Sequence, residues 1–182
     1  MVTNNFKKVL AECIFSSTQN GTSNIPELSL LSLPTLITTD GVKREMEAES
    51  KDDTGAIMCG LVNMLNHMST SSSDNTLYLK VGTGTTTPTG NDYELATVNT
   101  DISCDAVVAG VSANYTKTYT ATFSNPTSSD IVVTEVGLYG RVVYLHFGSP
   151  GYIDCLFDRT VLSTPITIPA GESKTITYEL SF

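Results

Sequence analysis

Apolar and polar residues change places at almost every step of Tyr115-Thr116-Lys117-Thr118-Tyr119-Thr120-Ala121-Thr122-Phe123, where each even position is threonine. Successive side chains of a strand point to opposite faces, so a period of two predicts a half-buried β-strand with one face in a core. Further strands are expected from Leu77 onward, at Ile131–Val136, Arg141–Phe147, Cys155–Leu162 and Lys174–Phe182, the last with Ile176, Tyr178, Leu180 and Phe182 on one face. Asn125-Pro126-Thr127-Ser128-Ser129-Asp130 supplies turn chemistry and makes Ile131–Val136 the expected hairpin partner of the threonine-rich strand; Pro169-Ala170-Gly171-Glu172 forms the turn before the final strand. Short strands with no helix between them imply an antiparallel sandwich or barrel and not an α/β sheet. The expected fold class is mainly β: an antiparallel β-sandwich, jelly-roll or immunoglobulin-like.

Upstream of Leu77 the period changes. Ile57, Leu61, Met64, Leu65 and Met68 recur at helical spacing behind Asp52-Asp53-Thr54, whose oxygens suit a helix N-terminus, so one helix with a buried apolar face is predicted. Gly60 weakens it by roughly 1 kcal/mol relative to alanine, and packing has to hold it. Residues 1–51 carry two short apolar runs, the second interrupted by Pro26 and Pro34, which forbid a regular helix and confine any strand to an edge. We read residues 1–51 as an extended N-terminal arm and 52–182 as a helix-plus-sandwich domain. Leu28, Leu30, Leu31, Leu33 and Leu36 either cover a partner surface or close the core of their own domain.

Composition narrows the function classes. A net charge of −9, with 10 lysines and arginines against 19 acidic residues, leaves no basic stripe for a phosphate backbone or an anionic lipid surface. Direct nucleic-acid binding is not expected, and no apolar run approaches the roughly 20 residues that span a bilayer. Glu12 interrupts the apolar stretch after Lys7-Lys8, so no secretory signal is read and synthesis in the cytoplasm is expected. Cys13, Cys59, Cys104 and Cys155 are scattered singly, which fits reduced thiols and neither a zinc site nor a disulfide framework.

Four segments, taken in order, carry a resemblance. They are Leu77-Tyr78-Leu79-Lys80-Val81-Gly82-Thr83-Gly84-Thr85-Thr86-Thr87-Pro88, Tyr119-Thr120-Ala121-Thr122-Phe123, Val133-Thr134-Glu135-Val136-Gly137-Leu138-Tyr139, and Leu156-Phe157-Asp158-Arg159-Thr160-Val161-Leu162 running on through Ile168-Pro169-Ala170-Gly171-Glu172 to Tyr178. With the helix before them, they resemble a family of virion structural proteins of tailed bacteriophages, over about residues 56 to 182. The resemblance implies an accessory capsid, head–tail or tail protein of a virion assembled in the bacterial host cytoplasm, homo-oligomeric and bound to other virion proteins. It implies no chemistry. Asp158 stands where alanine is common in that pattern and reads as a surface change.

Read physically, Gly82 and Gly84 permit positive φ or close backbone approach, and Gly137 within a strand suggests a bulge or a tight contact with another backbone. Together with Leu28, Leu30, Leu33 and Leu36 these glycines are the candidate partner-contact residues. Glu135 and Arg159 fall at matching positions of neighbouring strands and are expected to face each other as a charge pair at the sheet's margin. Catalytic, cofactor and metal sites are not expected. His67 and His146 lack a third ligand at metal spacing, Gly82-Thr83-Gly84 lacks the lysine and helix of a phosphate loop, and Asp52-Asp53 lacks a calcium-loop register. The alternative is a receptor- or carbohydrate-binding module using Tyr78, Tyr93, Tyr115, Tyr144 and Tyr152, an option that the absence of tryptophan lowers.

Overall fold

The computed structural model describes residues 1–4, 7, 35–45, 77–105, 107–109, 116–146 and 149–181. Nine strands run through them: β1 (Thr35–Ile37), β2 (Lys43–Glu45), β3 (Leu77–Gly82), β4 (Ser103–Cys104), β5 (Val108–Ala109), β6 (Thr116–Ser124), β7 (Ile131–His146), β8 (Ser149–Ile168) and β9 (Ser173–Ser181). One antiparallel sheet has the order β3-β7-β8. In the other, β6 pairs along its whole length with β9, and its opposite edge carries the short β4 and β5. β1 and β2 make a small hairpin. The described chain is therefore mainly β and antiparallel. The predicted helix, Leu28, Leu30, Leu31, Leu33, Cys13, Cys59, His67, Tyr115 and Phe182 lie outside the described residues.

The alternation in sequence fixes what each sheet buries. Tyr119, Ala121 and Phe123 of β6 and Ile176, Tyr178 and Leu180 of β9 are buried, and they join Leu77, Leu79 and Val81 of β3 and Val133, Val136, Leu138, Cys155, Phe157 and Ile168 of β7 and β8 in one apolar cluster. Burying side chains of this size stabilises by about 1.5–3 kcal/mol each. On the other face of the β6–β9 pair the hydroxyls bond across the strands: Thr120 to Thr177 at 3.3 Å, Thr122 to Thr175 at 3.1 Å and Ser124 to Ser173 at 2.7 Å. Such cross-strand pairs contribute roughly 0.2–1 kcal/mol each and hold the register.

The expected hairpin between the threonine-rich strand and Ile131–Val136 does not form, because β6 and β7 belong to different sheets. The reason is Asn125, which is buried at the end of β6. Its Nδ2 donates to the carbonyls of Ser129 (2.9 Å), Ile168 (2.9 Å) and Pro169 (3.2 Å), while its Oδ1 accepts from Thr127 N. The 125–130 segment is thus tied to the end of β8 and carries the chain across to the other sheet. At the same place Gly171, at φ 72°, closes the Pro169–Glu172 turn with Glu172 N donating to Pro169 O.

The predicted strand Ile131–Val136 and the described part of the predicted strand Arg141–Phe147, through His146, are continuous in β7, which runs through Gly137 and Gly140 and pairs along its length with β8, while Phe147 lies outside the described residues. The pairing slips twice, between Val133 and Glu135 and between Leu138 and Tyr139. At the first slip β8 carries the surplus residues, among them Pro165, whose missing N–H is tolerated at a bulge. At the second, Phe157 is the extra residue on β8.

Candidate functional site: a buried charge clamp under the 83–102 loop

Both slips turn a charged side chain out of the core. Val133 faces the main cluster, and strict alternation would send Glu135 after it. The slip hands the inward positions to Val136 and Leu138 instead. On β8, Cys155 and Phe157 face the main cluster and Leu156 faces away; after the extra residue, Asp158 reaches Tyr178 of β9 and Arg159 reaches Glu135 on the other side. At the second slip one extra residue exchanges the faces of β8; at the first, four residues of β8 (162–165) stand against Thr134 alone on β7. Arg159 pairs across from Gly137, diagonal to Glu135, a spacing that long side chains bridge.

The two charges meet with Arg159 Nε 2.8 Å from Glu135 Oε2, and their side chains are 3% and 0% exposed. The expected pair therefore forms, but not at the sheet's margin. β7 is the central strand, and the 83–102 connection lies over the pair and seals it. The loop is held by the pair itself: Glu135 Oε1 accepts from Gly84 N at 3.0 Å and Thr97 N at 2.8 Å, and Oε2 accepts from Ala96 N at 3.1 Å. Arg159 Nη1 donates to Asp92 at 2.7 Å, and Nη2 to the carbonyl and hydroxyl of Thr86 at 3.0 and 3.1 Å. Burial pushes the Asp92 carboxyl up, but hydrogen bonds from Thr89 and Arg159 outweigh it and hold the carboxyl below its ordinary value. Burial likewise opposes the Arg159 charge and is outweighed by Asp92 and Glu135, so the guanidinium is the more firmly protonated.

Gly82 and Gly84 are explained by the same clamp and Gly137 by the Leu95–Tyr139 packing beside it, through space and not through φ; among the described residues the positive-φ glycines are Gly41 and Gly171. A Cβ on Gly82 would stand 2.4 Å from Thr97 O and 2.6 Å from Glu135 Oε1; on Gly84, 2.4 Å from Glu135 Oε1 and 2.6 Å from the Ala96 Cβ. A Cβ on Gly137 would stand 2.9 Å from both Leu95 Cδ2 and Tyr139 Cε2. The close neighbours of all three candidate contact glycines are thus groups of their own chain. Leu36, the one candidate leucine among the described residues, is fully buried in the main cluster of its own chain.

A second latch lies alongside. Leu95 packs with Tyr139 and Leu156, Leu95 N donates to Tyr139 Oη at 3.0 Å, and that hydroxyl donates to Glu94. Tyr78 stacks on Tyr139 at 5.3 Å, and Lys80 Nζ sits 4.6 Å from the Tyr139 ring centre and 3.6 Å from Glu94. Burial first, then the neighbouring Glu94, raises the Tyr139 phenol far above its usual range; burial, then Asp154, does the same for Tyr78. Both remain protonated. Of the tyrosines expected to face a sugar, Tyr78 is committed to this stack, while Tyr93 is 43% exposed.

Residues 1–4 run beside the second slip. Val2 bridges Asp158, Thr3 N donates to Phe157 O at 2.9 Å, Thr3 Oγ1 donates to Leu156 O at 2.7 Å, and Asn4 N donates to Gly90 O at 2.7 Å. They pair with the outer edge of β8, which among the described strands has no neighbour on that side. Asp158 is not on the surface, as the pattern suggested: it is 5% exposed, accepts from Tyr178 Oη at 2.6 Å and lies 2.9 Å from the Met1 ammonium. The extra residue ahead of it turns it inward.

The arrangement holds a loop and offers little else. Each oxygen of Glu135 accepts two donors, and Arg159 is spent on Glu135, Asp92 and Thr86. Among the described residues no three His, Cys, Asp or Glu side chains are grouped to share a metal ion, and no helix is long and apolar enough to cross a membrane. The Glu135–Arg159 pair was legible from matching strand positions; Asp92, Thr86 and Tyr139 carried no signal of their own, although glycines and threonines crowded after a strand mark a loop under close packing. Comparison with protein-family models, with curated proteins and with solved structures returned no match in any of the three.

Proposed function

We propose that this chain is a structural component of a tailed-phage virion, a capsid accessory or tail-side protein that acts by packing against other virion proteins and against copies of itself. In this reading the two sheets face each other as an antiparallel β-sandwich around the shared cluster, and the protein performs no chemistry. The observation that carries the proposal is the convergence of the motif residues under one loop: Gly82 and Gly84 from the first segment, Glu135 from the third and Arg159 from the fourth meet in the clamp, and Gly137 from the third lies against Leu95 of the same 83–102 loop. The second segment supplies Tyr119, Ala121 and Phe123 to the core. The residues by which the chain resembles virion proteins are thus architectural, as a particle component requires, and they hold the loop with Thr83, Thr85, Thr87 and Thr89 exposed for contact with a neighbour.

Mass spectrometry of purified particles of a phage encoding the chain, with copy number measured against the major shell protein, tests the assignment. A fixed stoichiometry, high for a shell position and low for a tail or vertex position, is expected. Absence from washed particles would refute it.

A further inference from the structure

The outer edge of β3 is only half paired. Val81 O accepts from Asn99 N at 3.0 Å, and Thr83 N donates to Thr97 O at 2.9 Å. Backbone groups alternate in direction along a strand, so the N–H and C=O of Leu79 and the N–H of Val81 point the same way, and among the described residues they have no backbone partner. Leu79 and Val81 are each only 2% exposed. Backbone polar groups at this depth are almost always paired.

What these groups face is a cavity of about 260 Å³ between β3 and the 99–105 segment, with Leu79, Val81, Ile102 and Phe123 among its walls. That is smaller than the roughly 300–1,000 Å³ of small-molecule sites. Of its two charged lining residues, Lys80 is already matched by Glu94 and Asp105 is exposed; Asp101, beside the lining Ile102 in sequence, is exposed as well.

We propose that this cleft is a strand-addition site: an extended segment of a partner polypeptide, alternating apolar and basic residues, pairs with the free edge of β3 where residues 97–99 leave it. Its apolar side chains enter between Ile102 and Phe123, its backbone serves Leu79 and Val81, and its cations face Asp101 and Asp105. Main-chain pairing supplies affinity and the side-chain pockets supply selectivity, as in other edge-strand complexes. The inference deepens the packing reading by naming one docking mode. Its test uses the isolated chain, so it can fail while the virion assignment stands.

The probe is a capped heptapeptide alternating lysine and valine, with a glutamate–valine peptide as its counterpart. Amide exchange is read residue by residue. In the free protein the Leu79 and Val81 amides should exchange faster than those of Tyr78 and Lys80, which face β7. Saturating lysine–valine peptide should slow them at least about tenfold, and the glutamate peptide should leave them unchanged. The double variant Asp101→Lys, Asp105→Lys, altered only at exposed positions, should keep the wild-type melting temperature and bind the peptide about tenfold more weakly. Unchanged exchange at Leu79 and Val81, or equal binding by the charge-reversed variant, overturns the proposal.

Discussion

Glu135→Gln changes one atom of the clamp and should cost more than many larger substitutions. Four donors converge on the carboxylate: Gly84 N and Thr97 N on Oε1, and Ala96 N and Arg159 Nε on Oε2, at 2.8–3.1 Å. Glutamine offers one carbonyl oxygen and one NH2. Whichever way the amide is turned, two of the four donors face another donor in a site without water access. Losing two hydrogen bonds to a charged acceptor, at about 1.5 kcal/mol each, destabilises the fold by about 3 kcal/mol. For a chain of this size that is a fall of about 6–12 °C in Tm. Thermal and urea unfolding measure the loss, and amide exchange at Gly84, Ala96 and Thr97 locates it in the loop. A variant melting within about 2 °C of the parent, with those amides still protected, would show that the carboxylate does not organise the loop and would refute the reasoning.

Four further outcomes are expected. Gly84→Ala should lose about 1–3 kcal/mol and raise exchange across residues 84–97, because its Cβ meets a carboxylate pinned by four donors; an unchanged urea midpoint would contradict this. Tyr119→Phe should be neutral or stabilising, since the Tyr119 hydroxyl is buried with no hydrogen-bond partner among the described residues and burial pushes its pKa to about 12. Asn125→Ala should lose about 2–3 kcal/mol by unfastening the crossover between sheets, read as a lower urea midpoint at unchanged m-value. For pH, the folded Asp92 carboxyl lies below its ordinary value of 3.8. Its contribution is therefore full above that value and is lost as pH falls through the lower folded pKa; Asp92→Asn should flatten the acid limb of stability against pH and leave the neutral-to-alkaline limb unchanged in shape.

How far the sequence announces this architecture depends on whether local pattern or distant contact decides. β6 and β9 were legible because one face packs and the other is hydroxyl, and nothing interrupts the alternation. The partner of β6 was not, because turn residues show where a chain bends and not which sheet receives it; the side chain of Asn125 decides that by reaching the end of β8. Glu135 and Arg159 were legible as a pair, while the face they occupy was hidden by two slips in the β7–β8 ladder that no periodicity reveals. Asp158 was misplaced for the same reason. Of the three glycines, Gly82 meets the expected close backbone approach, at Thr97 O, whereas Gly84 and Gly137 are crowded by the side chains of Glu135, Ala96, Leu95 and Tyr139, neighbours that only the folded chain shows.

The most direct test of the proposed packing role is a symmetric cryo-electron microscopy reconstruction of the intact particle, with this chain fitted as its two antiparallel sheets. The expected result is continuous density for the chain at a fixed position, with protein neighbours against its strand edges and the outward threonines of the 83–102 loop. Particles whose density is fully accounted for without this chain, or a chain standing clear of every neighbour, would contradict it.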